Sequence, residues 1–212
     1  MNGKNRRERL AASRLYLCTG IRDGGEGLAR FLDTVLGAGV DIVQMREKTA
    51  GPATKQEATK VFRRLTNEHA ALFIVNDDPT LAASCDADGV HLGQEDMAPE
   101  AARKLLGEDL LIGRSTHAPD ELMRAAKEPV DYLGVGPVHA TPTKPGRKGV
   151  GLEYVRFAAA NATVPFFDTG GMDVATIGSV LEAGAFKVVV VRALTEATDP
   201  AAAAKELRAL LA

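Results

Sequence analysis

The chain alternates short apolar runs rich in β-branched residues with longer stretches rich in alanine, leucine and charge. The apolar runs predict strands at Arg14–Thr19, Asp41–Arg46, Ala71–Asn76, Gly89–Leu92, Leu111–Ser115, Tyr132–Gly136, Pro165–Thr169 and Phe186–Val191. The stretches between them predict helices, including Lys55–Ala70, Pro99–Leu106, Val174–Ala183 and Pro200–Leu211. The pattern therefore predicts a repeated strand–helix unit along the whole chain.

Several of the predicted strands, such as Leu72–Val75 and Val188–Val191, are apolar on both faces. A strand buried on both faces is typical of a parallel sheet covered by helices. Eight strands in 212 residues give about 26 residues per unit, which suits a compact barrel. We expect an α/β fold, a (β/α)8 TIM barrel, as one domain over residues 1–212, with residues 1–13 as an N-terminal extension. An open doubly wound sheet is the alternative, which the unbroken repeat disfavours.

The composition and charge disfavour a nucleic-acid-binding protein and favour a reducing compartment. The net charge is −2, aromatic residues make up 5% and tryptophan is absent, whereas a nucleic-acid platform needs a basic face with stacking rings. Cys18 and Cys85 form neither a disulfide framework nor a zinc site, which favours a reducing cytoplasm. No leader or membrane span is evident. We expect a soluble cytoplasmic protein that binds neither nucleic acid nor membrane; a homo-oligomer remains open.

One end of the predicted barrel has features of a phosphate site. In this fold the active site is built at the C-terminal ends of the strands, and phosphate commonly binds after strands seven and eight. Gly170 and Gly171 follow strand seven and precede a helix, so their backbone amides could bind an anion. A tight turn alone would also require glycine. Arg192, at the end of strand eight, would add a charged donor or form a surface ion pair.

Cations and carboxylates occur together at other strand ends. Arg46, Lys48 and Lys144 would converge on an anion, while Asp77 and Asp96 add negative charge beside it. Two carboxylates would repel a bare phosphate, but Mg²⁺ commonly takes one or two carboxylates together with diphosphate oxygens. The alternative is that Asp77 caps the next helix and Asp96 lies in a solvated turn. Their positions after adjacent strands three and four favour the magnesium site.

The motifs at successive strand ends resemble those of the thiamine-phosphate synthase family. They are QMREK at 44–48, ND at 76–77, GVHLGQED at 89–96, STH at 115–117, GPVHATPTK at 136–144 and GG at 170–171. The resemblance runs in order from about residue 14 to residue 196. It implies a Mg²⁺-dependent transferase of alkyl or aryl groups with the TIM-barrel fold. Such an enzyme couples 4-amino-5-hydroxymethyl-2-methylpyrimidine diphosphate to 4-methyl-5-(2-phosphoethyl)thiazole, giving thiamine phosphate and diphosphate.

The resemblance also implies a role for each matching residue. The diphosphate site comprises three cations and an amide, Arg46, Lys48, Lys144 and Asn76. The magnesium ligands are Asp77 and Asp96, and the aminopyrimidine pocket comprises Gln44, His91 and Gly93. Ser115 would hydrogen-bond the leaving diphosphate and, with the three cations, carry catalysis. The thiazole phosphate would be bound by Thr141, Thr143, Gly171 and Arg192.

The expected chemistry requires no strong base. Diphosphate leaves a benzylic-type carbon, the 4-amino group stabilises the cation, and the thiazole nitrogen attacks without a proton to lose. Catalysis is then mainly leaving-group stabilisation and positioning of two substrates. No nucleophile–base pair of the serine–histidine–aspartate type is therefore expected.

Two positions depart from the family pattern. Asp168-Thr169 stands where an apolar pair is usual, and Arg192 stands where serine is common. An inward aspartate would repel a phosphate unless it is hydrogen-bonded or paired, and Arg192 on the neighbouring strand is the candidate partner. Two other functions stay open: a thiazole tautomerase, which needs neither the cations nor the aspartates, and a non-catalytic paralogue that binds a phosphorylated ligand. The charged residues retained at the diphosphate end disfavour both.

Overall fold

Strands alternate with helices in the computed structural model, which describes residues 1–22, 25–141, 146 and 148–212. The strands are β1 Leu15–Thr19, β2 Ile42–Met45, β3 Leu72–Asn76, β4 Gly89–Leu92, β5 Leu111–Thr116, β6 Tyr132–Val135, β7 Phe166–Asp168 and β8 Val188–Val190. The helices are α1 Gly3–Ala12, α2 Gly25–Gly37, α3 Pro52–Glu68, α4 Pro79–Ser84, α5 Pro99–Leu106, α6 Pro119–Ala125, α7 Gly151–Asn161, α8 Ile177–Glu182, α9 Arg192–Thr195 and α10 Pro200–Leu210. In these ranges no helix combines the length and the apolar character that crossing a membrane requires.

The sheet closes on itself. Each strand pairs in parallel with the next, and β1 also pairs with β8, where Leu15 lies opposite Val188. This confirms the predicted (β/α)8 barrel and excludes the open sheet. The predicted and observed strands coincide, with ends displaced by at most two residues, because the apolar runs mark the buried part of each strand.

Side chains of the strands alternate between two apolar layers. Outward-facing residues such as Leu17, Val43 and Phe73 pack with helix residues into one large cluster. Inward-facing residues form a second cluster inside the barrel: Leu10, Tyr16, Ile42, Leu72, Ile74, Leu111, Tyr132 and Phe167. Burial on both sides explains why the strand runs lack polar alternation. The inner cluster fills the half of the barrel nearest the N-terminal ends of the strands. The polar inward-facing residues further along each strand therefore lie toward the C-terminal ends.

Helix α1 lies across the N-terminal end of the barrel. Its Leu10 is 2% exposed and belongs to the inner cluster. Arg6 Nε lies 3.0 Å from Asp88 Oδ1, and Arg7 Nε lies 2.7 Å from Asp131 Oδ1. Lys187 Nζ donates to the carbonyl of Ala11 at 2.6 Å. The segment expected to precede the barrel as an extension thus covers the end of the barrel opposite the strand C-termini.

Three aspartates join neighbouring strands at this same end. Asp41, Asp88 and Asp131 each directly precede an even-numbered strand. Each accepts a backbone N–H from the odd-numbered strand beside it and a hydrogen bond from an arginine: Leu15 and Arg208 for Asp41, Phe73 and Arg63 for Asp88, Ile112 and Arg103 for Asp131. Charged hydrogen bonds to both partners therefore hold the strand starts in register.

Candidate active site

A pocket of about 370 Å³ opens at the C-terminal ends of the strands. It is lined by nine of the residues that the sequence singles out: Gln44, Arg46, Lys48, Asn76, Asp77, His91, Gly93, Asp96 and Ser115. The alternation of side chains along each strand explains this convergence, because Gln44 lies two positions after the inward Ile42 and Asn76 two after the inward Ile74. Parallel strands bring these ends to one face of the barrel.

A lysine and two carboxylates meet at one side of this pocket. Lys48 Nζ lies 3.5 Å from Asp77 Oδ2. Burial and the adjacent Asp96 raise the pKa of Asp77, and Lys48 partly offsets this effect. The Oδ2 atom of Asp96 accepts the N–H of Gly93 at 2.6 Å. Two carboxylates held this close favour a bound cation between or beside them.

The backbone directs Asp77 into the pocket. Its φ of +65° lies in the left-handed region, which residues other than glycine adopt infrequently. Its N–H donates to the carbonyl of His91 at 2.9 Å. The alternative role as a helix cap belongs to the next residue, since Asp78 Oδ1 accepts the N–H of Leu81 at 2.9 Å at the start of α4. Such local strain is typical of functional positions.

The loop after β2 carries a cationic residue on each side of an acidic one, Glu47. Glu47 Oε1 accepts the N–H groups of Thr49 at 2.8 Å and Ala50 at 3.1 Å. The hydrogen bonds from Thr49 are the main cause that lowers the pKa of Glu47 to about 2. The ionised Glu47 thus holds the turn that presents Arg46 and Lys48. The Arg46 side chain lines the pocket, and no described residue forms an ion pair with it.

The donor set suits magnesium. Over the part of the chain that the structure describes, no group of three or more His, Cys, Asp and Glu side chains could hold a metal on its own. Magnesium does not need one, because it usually keeps several waters and binds one or two carboxylates plus substrate phosphate oxygens. Asp77 and Asp96 supply two such carboxylates in the pocket.

A second pocket of about 280 Å³ adjoins the first. Thr169, Val189 and Val191 line both pockets. The second contains three residues predicted for the thiazole phosphate: Thr141, Gly171 and Arg192. Thr143, predicted for the same phosphate, and Lys144, predicted for the diphosphate, lie outside the described residues. The shared lining places two ligand spaces side by side.

The glycine pair has a packing requirement of its own. Gly170 and Gly171 have φ values of +94° and +69°. A Cβ at Gly170 would lie 2.3 Å from Pro137 Cβ, and one at Gly171 would lie 2.9 Å from His139 Cβ. The loops after β6 and β7 therefore pack backbone against backbone, which glycine permits. Gly171 also lines the second pocket.

The expected pairing of Asp168 with Arg192 is wrong. Arg192 begins α9 rather than ending β8, and its Nε donates to Glu196 Oε2 at 2.9 Å as an exposed ion pair. Asp168 is fully buried, and neither carboxyl oxygen has a hydrogen-bond partner in the described chain. Strand alternation explains the error, because Phe167 and Thr169 point inward and Asp168 faces the helices. Burial raises its pKa to about 8, so the protonated carboxyl places no charge beside the second pocket.

Replacing Asp168 by asparagine is expected to stabilise the fold at pH 7 by about 2–3 kcal/mol. The folded-state pKa of about 8 lies above that of the unfolded chain, so wild-type stability falls as pH rises from about 4 to about 8. The amide cannot ionise, although it remains an unpaired polar group and the gain is correspondingly reduced. Urea unfolding from pH 5 to pH 9 measures both effects. Asp173→Asn, at an exposed aspartate, is the control; equal pH slopes for wild type and Asp168→Asn would contradict the prediction.

Several residues that line the pocket were given no role in the site from the sequence. Tyr16, Tyr132, Gln94 and His117 line the first pocket, as does Cys18, which is 7% exposed. Strand alternation could have identified two of them from the sequence, because Tyr16 and Cys18 alternate with the outward-facing Leu15 and Leu17 along β1. Ser115 Oγ also lies 2.9 Å from His91 Nε2. A serine–histidine pair is thus present, with a tyrosine instead of a carboxylate as its third member.

Comparison with known proteins gives consistent relatives. A family model described as thiamine monophosphate synthase matches residues 15–194. The thiamine-phosphate synthase of Streptomyces avermitilis is 52% identical over 202 residues, covering 94% of this chain and 94% of that protein. That of Synechocystis is 46% identical over 200 residues, covering 94% of this chain but 57% of the longer relative. The solved structure of thiamine phosphate pyrophosphorylase from Pyrococcus furiosus has a TM-score of 0.86 and 34% identity, covering 97% and 96% of the two chains.

Proposed function

The chain belongs to the thiamine monophosphate synthase family, and we propose the substrates and residue roles by which it makes thiamine phosphate. It is an enzyme of the transferase class. The proposed substrates are 4-amino-5-hydroxymethyl-2-methylpyrimidine diphosphate and 4-methyl-5-(2-phosphoethyl)thiazole. The observation that carries the proposal is the contiguity of the two pockets, one bearing cations and carboxylates and the other a glycine loop.

The diphosphate would occupy the side of the first pocket that carries charge. Arg46, Lys48 and Asn76 would bind its oxygens, with Lys144, which follows β6 in the sequence, as a further cation. Asp77 and Asp96 would hold Mg²⁺. Bound Mg²⁺ would supply positive charge that stabilises the departing diphosphate. The pairing of Lys48 with Asp77 supports this arrangement, because a substrate diphosphate would draw the lysine from an ion pair that is partly solvent-exposed.

The aminopyrimidine would lie deeper, beside Gln44, His91 and Gly93. Gln44 is 5% exposed and carries an amide with both donor and acceptor atoms. At that depth the carbon that loses diphosphate would be shielded from water. When the carbon–oxygen bond to diphosphate breaks, both electrons leave with the oxygen, and the ring amino group stabilises the cation that remains.

The thiazole would approach from the second pocket. Thr141, Thr143, Gly171 and Arg192 would bind its phosphate, with Arg192 leaving its exposed pair with Glu196. The thiazole nitrogen would then form the new carbon–nitrogen bond with its lone pair. It carries no proton in that form, so no base is required. The residues would act by binding and orienting two substrates and by stabilising the leaving group.

The test is to mix purified protein with both substrates and measure thiamine phosphate with and without excess EDTA. We expect product with Mg²⁺, at least a hundredfold less with the chelator, and recovery when Mg²⁺ is restored in excess. Equal product in EDTA would contradict the magnesium role. No product under any condition would contradict the proposed substrates; thiazole isomerisation alone would indicate a tautomerase, and binding alone a non-catalytic paralogue.

A further inference from the structure

Six side chains beneath the substrate space form one continuous hydrogen-bonded chain. Cys18 Sγ lies 3.3 Å from Gln44 Oε1, and Gln44 Nε2 lies 2.7 Å from Tyr16 Oη. Tyr16 Oη lies 3.1 Å from Tyr132 Oη, which lies 3.2 Å from His91 Nδ1. His91 Nε2 lies 2.9 Å from Ser115 Oγ. The chain runs from the floor of the barrel to the residue expected to contact the diphosphate.

The direction of donation is set at one end. Each hydroxyl has one hydrogen to donate. Because Gln44 Nε2 donates to Tyr16, the hydrogen of Tyr16 goes to Tyr132, and that of Tyr132 goes to His91 Nδ1. A neutral imidazole that accepts at Nδ1 carries its hydrogen on Nε2. His91 then donates to Ser115 Oγ, and the hydroxyl hydrogen of Ser115 is left for another acceptor.

The opposite direction would change the chemistry of Ser115. If Tyr16 donated to residue 44, Tyr132 would donate to Tyr16, and His91 would donate from Nδ1. Ser115 would then donate to His91 Nε2 and present only lone pairs to the pocket, as an activated nucleophile does. The Cys18 thiol beside Gln44 Oε1 supports the first orientation of the amide. Burial raises the pKa of both phenols well above the usual value, so each keeps its hydrogen.

Two glycines in neighbouring strands leave the space that the hydrogen-bonded side chains occupy. A Cβ at Gly113 would lie 2.1 Å from Tyr132 Cζ and 2.6 Å from His91 Nδ1. A Cβ at Gly134 would lie 3.1 Å from His91 Cε1. Tyr16 and Tyr132 are 1% and 0% exposed, so water does not compete for their hydrogen bonds. Glycine at these two strand positions thus permits the contact between the phenol and the imidazole.

We propose that Tyr132, backed by Tyr16 and Gln44, is a positioning residue that holds His91 in the Nε2–H form and turns the Ser115 hydroxyl hydrogen toward the substrate anion. Ser115 is then an anion donor and not a nucleophile. The identity of that anion as diphosphate rests on the proposed function. The tautomer of His91 does not, because it is a property of the ligand-free protein.

The first test reads the tautomer directly by ¹⁵N NMR of the ligand-free protein at a pH where imidazole is neutral. The chain has four histidines, and loss of one signal set in His91→Gln assigns His91. We expect hydrogen on Nε2 in wild type and also in the control Tyr154→Phe. Tyr154 is a buried tyrosine that does not belong to the hydrogen-bonded chain of six side chains. In its ionised form the carboxylate of Gln44→Glu can only accept, so at a pH where it is ionised it should reverse the hydrogen-bonded chain and move the hydrogen to Nδ1. Hydrogen on Nδ1 in wild type, or an unchanged tautomer in a folded Gln44→Glu variant with an ionised carboxylate, would overturn the proposal.

The second test is kinetic. Tyr132→Phe should lower kcat about tenfold, the effect of one misdirected hydrogen bond, and leave the KM for the thiazole phosphate unchanged. Tyr154→Phe should match wild type in both constants. An unchanged kcat in Tyr132→Phe would overturn the catalytic part of the proposal. If wild type made no thiamine phosphate, the proposed function would fail while the tautomer result still stood.

Discussion

Asp77→Asn is expected to lower kcat/KM for thiamine phosphate formation by about a thousandfold or more with the fold intact. The variant removes one of two proposed magnesium ligands and half of the negative charge that would attract the ion. Asparagine is better suited than alanine, because it tolerates the left-handed φ of +65° at this position. Lys48 would lose its ion-pair partner, but both groups are partly exposed and the loss in stability is small.

Activity at increasing Mg²⁺ concentration and thermal unfolding together check this expectation. A higher Mg²⁺ requirement with an unchanged unfolding temperature would agree with it. Asp78→Ala is the matched control, since it removes the neighbouring carboxylate, which caps α4. That change should cost about 1 kcal/mol of stability and leave catalysis near wild type. Full activity in Asp77→Asn would move the metal site elsewhere, with Asp78 the first candidate.

The second large effect concerns stability. Asp88→Ala should reduce the free energy of unfolding by about 3–5 kcal/mol, because it removes one partner of a buried ionic cluster. Asp88 is 1% exposed and lies 3.0 Å from Arg6 Nε and 2.9 Å from Arg63 Nη1. It also accepts the N–H of Phe73 at 2.9 Å. The variant would remove the charged acceptor that two guanidinium groups and a strand amide share.

Urea unfolding measures this loss. Glu153→Ala is the control, because it breaks an ion pair with Arg156 at 2.6 Å in which both side chains are more than half exposed. It should change stability by less than about 1 kcal/mol. Asp88→Asn keeps the acceptor oxygen for the backbone and should lose less than Asp88→Ala. Equal stability of Asp88→Ala and wild type would show that the cluster is solvated.

Local pattern was enough to predict the barrel. Strand runs such as Leu72–Val75 are apolar on both faces because helices and the inner cluster cover them. Helix α1 was not predicted, since its charged sequence shows little amphipathic pattern. Its position depends on pairs such as Arg6 with Asp88, which no local window contains.

The site was predictable where motifs fall at strand ends, as for Arg46, Asp77 and His91. Two features were not. The contact of Tyr16 with Tyr132 joins residues 116 positions apart, and only closure of the barrel brings them together. The direction of Asp168 depends on register, because a shift of one residue along a strand exchanges inward and outward faces.

The contacts of α1 also bear on the order in which the molecule assembles. Arg6, Arg7 and Lys187 connect this helix across sequence separations of 82, 124 and 176 residues. During synthesis α1 leaves the ribosome first, and the residues that it contacts leave much later. Closing such long loops costs entropy before the contacts can offset it, so we expect these contacts to form late in folding. Interactions absent from the transition state act chiefly on the rate of unfolding, so we expect the contacts of α1 to slow unfolding of the finished barrel.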